Sequence, residues 1–376
     1  MVLKSPTNRL DSSVLQNKCR GRLTPHIFFQ EGSRLVSQMA APLLLLSAML
    51  STLPMVLCFP SPYMDHDHHD PNRTSASIRF LVVGDWGGLP NPPYMTPIEK
   101  ATAHEMGKAA KHMGADFILA VGDNFYYRGV NSVRDPRFQE TFERVFTAES
   151  LEHTPWYVIA GNHDHLGNVE AQIEYSRHSK RWNFRYYYYD LHFRVPHSDA
   201  TLTILMLDTI LLCGNSHDYL DERPRGASDS LMANQQLQWL AKQLETSRAD
   251  FLLVAGHYPV WSVSDHGPTE CLLDNVRPLL LKYNATAYLC GHDHNLQYLE
   301  ESGVGYVVSG AGNFLDNSMK HKKSVPAHSL KFFYGQQSSL GGFAHVEVTK
   351  KDMTITFIQA RGKSLYRTVL PRRTAP

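Results

Sequence analysis

Five apolar, β-branched-rich runs in this chain each end in a glycine followed at once by an oxygen or nitrogen donor: Gly84-Asp85, Gly122-Asp123, Gly161-Asn162, Gly256-His257 and Gly291-His292. Two further donors stand close by, Tyr126 three residues after Asp123 and His294 two after His292. A turn can direct residues three apart to one ion, and alternate residues of an extended segment share a face, so both pairs can chelate. Carboxylate and phenolate oxygens are hard donors, and a coordinated phenolate needs a strongly acidic cation to displace its proton, which points to ferric iron. Imidazole and amide donors suit a divalent ion such as iron(II), zinc or manganese. A carboxylate can bridge two ions held roughly 3.5–4 Å apart, the two-metal arrangement used for phosphoryl transfer. Any one glycine–polar pair is most simply a strand followed by a turn; the fivefold recurrence argues for a site.

The runs that feed these motifs read as buried strands: Ile78 to Val83, Phe117 to Val121, Trp156 to Ala160, Phe251 to Ala255 and Thr286 to Cys290. In α/β proteins the C-terminal edge of such strands is where ligands bind. Helical patterns near Thr96 to Met113, Pro136 to Phe146 and Val169 to Arg181 separate the early strands and argue for βαβ units with a largely parallel sheet. Further strands are predicted at Leu202 to Leu207, Tyr306 to Ser309, Ala344 to Val348 and Met353 to Ile358, with a helix at Leu231 to Glu245. The last two strands form a hairpin around Lys350-Lys351-Asp352. Residues 77–370 show no second linker and no fixed repeat, so one domain is expected there.

At 376 residues and 43% hydrophobic the chain can bury a full core, and a net charge of +1 gives no reason to expect nucleic acid as a partner. Residues 1–38 form an unassigned extension. Residues 39–61 read as a secretory signal peptide, with a retained anchor as the alternative, and 62–76 as a linker. The Asp65 to Asp70 tract reads as a solvated segment that binds divalent ions weakly. Of five cysteines, Cys19 and Cys58 fall in the segment expected to be removed. Cys290 ends an apolar run and reads as a buried free thiol, while Cys213 and Cys271 sit in loop-like segments and are expected to form a disulfide. Sequons at Asn72 and Asn284 mark glycosylation sites in an exported chain.

Gly-Asp-Trp-Gly at 84–87, Gly-Asp-Asn-Phe-Tyr at 122–126, Gly-Asn-His-Asp at 161–164, Val-Ala-Gly-His at 254–257 and Gly-His-Asp-His at 291–294 resemble, in order, the five motifs of the purple acid phosphatases. The similarity is to the short, single-domain animal type and covers about residues 77–373. It implies a four-layer α/β/β/α metallophosphoesterase sandwich, two mixed sheets flanked by helices. It also implies that Asp85, Tyr126 and His294 hold Fe(III), that Asn162, His257 and His292 hold a divalent ion, Fe(II) or Zn, and that Asp123 bridges them. His163 and His266 match the family's substrate-side histidines. The activity implied is hydrolysis of phosphate monoesters (aryl phosphates, nucleotides, phosphoproteins) by in-line attack of a metal-activated hydroxide at acid pH, by a monomer that is lysosomal or secreted.

Animal members carry a protease-sensitive loop over the site; here residues 213–232 correspond, with Arg225-Gly226 as the trypsin-like bond. This loop is shorter, Gly226 replaces the acidic residue typical after Pro-Arg, and Asn168 is followed by Val169-Glu170, so the sequon common after the third motif is missing. Two competing readings share part of the pattern. A phosphodiesterase of the wider superfamily would use two divalent ions and does not call for Tyr126. A secreted iron carrier or signalling protein would not need His163 and His266.

Overall fold

The computed structural model describes residues 76–216 and 223–373. The extension at 1–38, the signal segment at 39–61, the linker up to residue 75 with its Asp65 to Asp70 tract, and Asn72 lie outside the described residues, as do 217–222. No helix among the described residues is long and apolar enough to cross a membrane.

The first half of the chain runs β1 (Ile78–Val83), α1 (Pro97–Met113), β2 (Phe117–Val121), α2 (Glu149–Glu152), β3 (Trp156–Ile159), α3 (Val169–Tyr175) and β4 (Trp182–Asn183). The middle runs β5 (Tyr189–Arg194), β6 (Thr201–Met206), α4 (Thr209–Cys213), α5 (Ser230–Thr246), β7 (Phe251–Ala255), α6 (Glu270–Asn275), α7 (Arg277–Lys282) and β8 (Ala287–Cys290). The last part holds β9 (Leu296–Glu301), β10 (Val304–Ser309), β11 (Leu330–Tyr334), β12 (Gly342–Val348), β13 (Asp352–Gln359) and β14 (Ser364–Pro371). The strands form two seven-stranded sheets, ordered β14-β13-β12-β1-β2-β3-β4 and β11-β9-β10-β8-β7-β6-β5. Parallel pairing joins β1, β2, β3 and β4 in the first sheet and β6, β7, β8 and β10 in the second, with antiparallel strands outside them. The β12–β13 hairpin occurs where the sequence places it, with Val348 opposite Met353.

The period of two along each central strand explains the layering. On β7, Phe251, Leu253 and Ala255 join the core that β1, β2 and β3 share, whereas Leu252 and Val254 face Leu240 and Leu244 of α5, Leu272 of α6 and Leu280 of α7. β8 divides the same way, Ala287 and Leu289 inward and Tyr288 and Cys290 toward the helices. α1 packs on β1 and β12 across the first sheet. The result is the four-layer α/β/β/α sandwich expected from the sequence, with apolar strands buried on both faces.

Three local expectations are corrected. Pro136 to Phe146 is a π-helix at Phe138–Glu143, whose wide turn, with Arg144 N bonded to Gln139 O at 2.9 Å, buries Phe138 and Phe142 among Trp86, Tyr175 and Trp182. The third helix stops at Tyr175, short of Arg181, which turns inward to donate to the Phe146 carbonyl at 2.6 Å. Cys213 and Cys271 lie on the short helices α4 and α6 rather than in loops; α4 is a single turn started by Asp208, whose Oδ1 accepts from Ile210 N and Leu211 N. The two cysteines form the expected disulfide, with Cα atoms 5.6 Å apart, and Cys290 is a buried free thiol.

Candidate metal centre

All the donors singled out in the sequence lie just past the C-terminal ends of strands. β1, β2 and β3 deliver Asp85, Asp123 with Tyr126, and Asn162; β7 and β8 deliver His257, and His292 with His294. The backbone bends sharply to aim them: Asp85, Asp123 and His292 have φ of 57°, 54° and 70°, a left-handed conformation costly for non-glycine residues and frequent at active sites. The motif glycines make room for the neighbouring motif's side chain. A Cβ on Gly161 would stand 2.2 Å from Asp123 Oδ1, and one on Gly291 2.3 Å from Asp85 Oδ2.

The side chains gather in two groups. In one, Tyr126 Oη lies 3.1 Å from Asp85 Oδ1 and 3.0 Å from His294 Nε2, and His294 Nε2 lies 3.6 Å from Asp85 Oδ1. In the other, His257 Nε2 lies 2.9 Å from Asn162 Oδ1, with the His292 ring 5.1 Å from that of His257. Asp123 stands between: its Oδ1 is 3.4 Å from His257 Nε2, and Asp85, Asp123 and His257 each offer an atom within 4.8 Å of the others. His163 Nε2 is 3.9 Å from Asp123 Oδ2, and the half-buried His266 stacks on His292 at 4.2 Å.

The electrostatics of this cluster call for a cation. Burial holds the Asp85 carboxyl well above its ordinary value, and Asp123 adds to the effect. Burial raises the Tyr126 phenol too, reinforced by Asp85 and Asp123. Burial opposes a charge on His257, but Asp123, Asp85 and the Val121 carbonyl together outweigh it and push the imidazole up to about 10. A buried cation relieves all three at once, and the hard oxygens with imidazoles fit metal ions. His257 Nδ1 bonds the Val121 carbonyl at 2.9 Å, which turns Nε2 toward the centre, the usual outer support of a metal-ligating histidine.

Sequence reading missed the residues that hold these turns. Asp164, fully buried, accepts from Asn124 N at 3.0 Å, Phe125 N at 3.2 Å, Gly161 N at 2.8 Å and Gln172 Nε2 at 2.8 Å, tying the Asp123 and Asn162 turns together. Its place beside Asn162-His163 was the available signal. Buried Arg137 donates to Tyr126 O at 2.8 Å and to Gly129 O, which no local motif announces.

Comparison with known proteins gives the same assignment. Residues 78–296 match the model of the calcineurin-like phosphoesterases. The chain is 58% identical over 301 residues to human tartrate-resistant acid phosphatase type 5, covering 80% of this chain and 93% of that protein. It is 30% identical over 319 residues to purple acid phosphatase 17 of Arabidopsis thaliana, covering 81% and 87%. Among solved structures, the Plasmodium inner-membrane-complex anchor GAP50 shares the fold, with a TM-score of 0.68 at 23% identity over 80% of this chain and 90% of that one. With an Asp–Asp–His group where the strand ends meet and this degree of identity, the chain belongs to the calcineurin-like metallophosphoesterases, in the tartrate-resistant type 5 branch of the purple acid phosphatases, and is an acid phosphatase.

Proposed function

We propose that the chain hydrolyses phosphate monoesters at a dinuclear centre, with Fe(III) held by Asp85, Tyr126 and His294, a divalent ion, Fe(II) or Zn, held by Asn162, His257 and His292, and Asp123 shared between them. The observation that carries this reading is the division of the donors into two groups that meet at Asp123. When bound, such a pair of ions supplies Lewis acidity that activates water and neutralises phosphoryl charge.

The chain's own residues do the rest. His163 Nδ1–H donates to Tyr127 O at 2.7 Å, which fixes the ring and points Nε2 at the centre, where it meets a phosphoryl oxygen. His266, at the rim over His292, protonates the leaving alkoxide. Beyond them a cleft runs from His292 and His266 to Arg223 and Lys320, which pair there with Glu270 at 3.3 Å and Asp265 at 3.4 Å.

Export to a lysosomal or extracellular setting fits the Cys213–Cys271 disulfide and Asn284, which is exposed on a turn between α7 and β8 and open to a glycan. A protease cutting after Arg225 must first free Gly226, whose N–H bonds the Cys213 carbonyl at 2.9 Å.

Metal content and p-nitrophenyl phosphate turnover near pH 5 test the proposal together. Wild type should hold about two ions per chain, and Asp123→Asn should lose metal and at least about a hundredfold in kcat/KM. An Asp123→Asn protein with full metal and unchanged turnover would contradict the shared role. His266→Ala should slow alkyl phosphates far more than aryl ones, whose leaving groups need no proton; equal losses would remove the proton-donor role.

A further inference from the structure

From Gly291 into β9 the chain interleaves two sets of side chains. His292 and His294 face the metal centre, and Asp293, Asn295 and Gln297 face the opposite way, toward the segment Ser262–His266. That opposite set is buried and each member is bonded to the segment. Asp293 Oδ1 accepts from His266 N at 3.0 Å and its Oδ2 from Ser262 Oγ. Gln297 Oε1 accepts from Val263 N at 3.0 Å, while its Nε2 donates to Ser262 Oγ at 2.8 Å and Asn295 Oδ1 at 2.7 Å. Asn295 Nδ2 donates to Ser264 Oγ at 2.7 Å, and Ser264 N donates back to Ser262 Oγ at 3.1 Å. Ser262 Oγ thus makes one donation and two acceptances, its full capacity.

Such a buried polar network, which Ser264 Oγ extends to Asp316 Oδ2 at 3.0 Å and the Ser318 carbonyl at 2.9 Å, is rigid, because each lost bond strands a desolvated partner. One end of it is the backbone of His266, whose ring lies 4.2 Å from that of His292. We propose that Asp293, Asn295 and Gln297 are positioning residues that hold His266 at a fixed place over the metal centre, so that one strand entry both supplies donors and sets the substrate-side histidine. This rests on the reading of His266 given above.

The test is a double-mutant cycle with Gln297→Met, which keeps the volume and deletes three hydrogen bonds without touching a donor. The purified, metal-loaded protein is assayed on glycerol phosphate, and its iron content and visible absorption are followed alongside. Gln297→Met should lower kcat about tenfold with iron and colour intact, since small misplacements of a reacting group cost at least that much. In a His266→Ala background the same change should cost less than about twofold, because the residue it positions is gone. Labelling of His266 by diethyl pyrocarbonate, read by mass spectrometry, should be faster in Gln297→Met. Should that variant fail to fold, Asn295→Ala removes one bond to Ser264 Oγ and one to Gln297 Nε2 and should give a smaller loss with the same non-additivity.

Equal losses in both backgrounds, with His266→Ala itself costly, would overturn the positioning role alone. A silent His266→Ala would overturn the reading of His266, and the positioning role with it.

Discussion

The two sheets contribute different chemistry to the centre. The first sheet supplies oxygen, from Asp85, Asp123, Tyr126 and Asn162, and the second supplies nitrogen, from His257, His292 and His294. Each donor group mixes the two, since Tyr126 and Asp85 meet His294, and Asn162 meets His257. The seam is also stitched by backbone and carboxylate bonds: Gly84 N to Ser309 O at 2.8 Å, and His292 N to Asp85 Oδ2 at 2.8 Å. Neither sheet completes a donor group alone, so on the proposed reading bound metal adds to the apolar core that already joins the sheets.

The largest expected effect follows directly. Removing the metals should weaken the seam, since a ligand present at about a thousand times its Kd contributes roughly 4 kcal/mol of stability. For a domain of this size that is on the order of 10 °C in Tm, read by calorimetry before and after chelation. A Tm unmoved by chelation would mean that the sheets dock without help from the ions.

The supports of the two flanks should also differ. Oxygen donors rest on Asp164, so Asp164→Ala strands buried amides and should cost about 3 kcal/mol by urea denaturation. If instead it cost no more than an exposed substitution, the turns would be held by their own backbone.

A smaller effect comes from the link between motif three and α4, where His165 Nε2 bonds buried Asp208 at 2.7 Å. Burial opposes the charge on His165, but Asp208, helped by Asp164 and Glu170, outweighs it and raises the imidazole above its ordinary value. A raised folded-state value means the stabilisation is whole below about 6.5, the unfolded value, and fades as pH rises through the folded one. His165→Gln should therefore cost about 1–2 kcal/mol at pH 5 and less at pH 8. A cost that grows with pH would reverse the assignment.

What the sequence made legible tracks how local the information is. The donors stand beside glycines at strand ends, a signal confined to a few residues, and they converge in the structure; the parallel strands behind them read as unbroken apolar runs. Edge strands were missed because their residues alternate weakly: Ser364–Pro371 and Leu330–Tyr334 are almost all exposed or half-exposed, and β4 has two residues. Helices α4, α6 and α7 are too short to show a helical period. Asp164 is signalled by its place beside Asn162-His163, but Arg137 and Gln297 bond residues 11 and 34 positions away, which no spacing along the chain announces.

The visible absorption spectrum of the purified protein, wild type beside Tyr126→Phe, tests the central claim most directly. Buried beside two carboxylates, the Tyr126 phenol keeps its proton unless a strongly acidic cation takes its place. The account predicts a broad purple tyrosinate-to-iron band in active wild-type protein and its loss in Tyr126→Phe. A colourless protein with full turnover, or a band that survives the substitution, would contradict it.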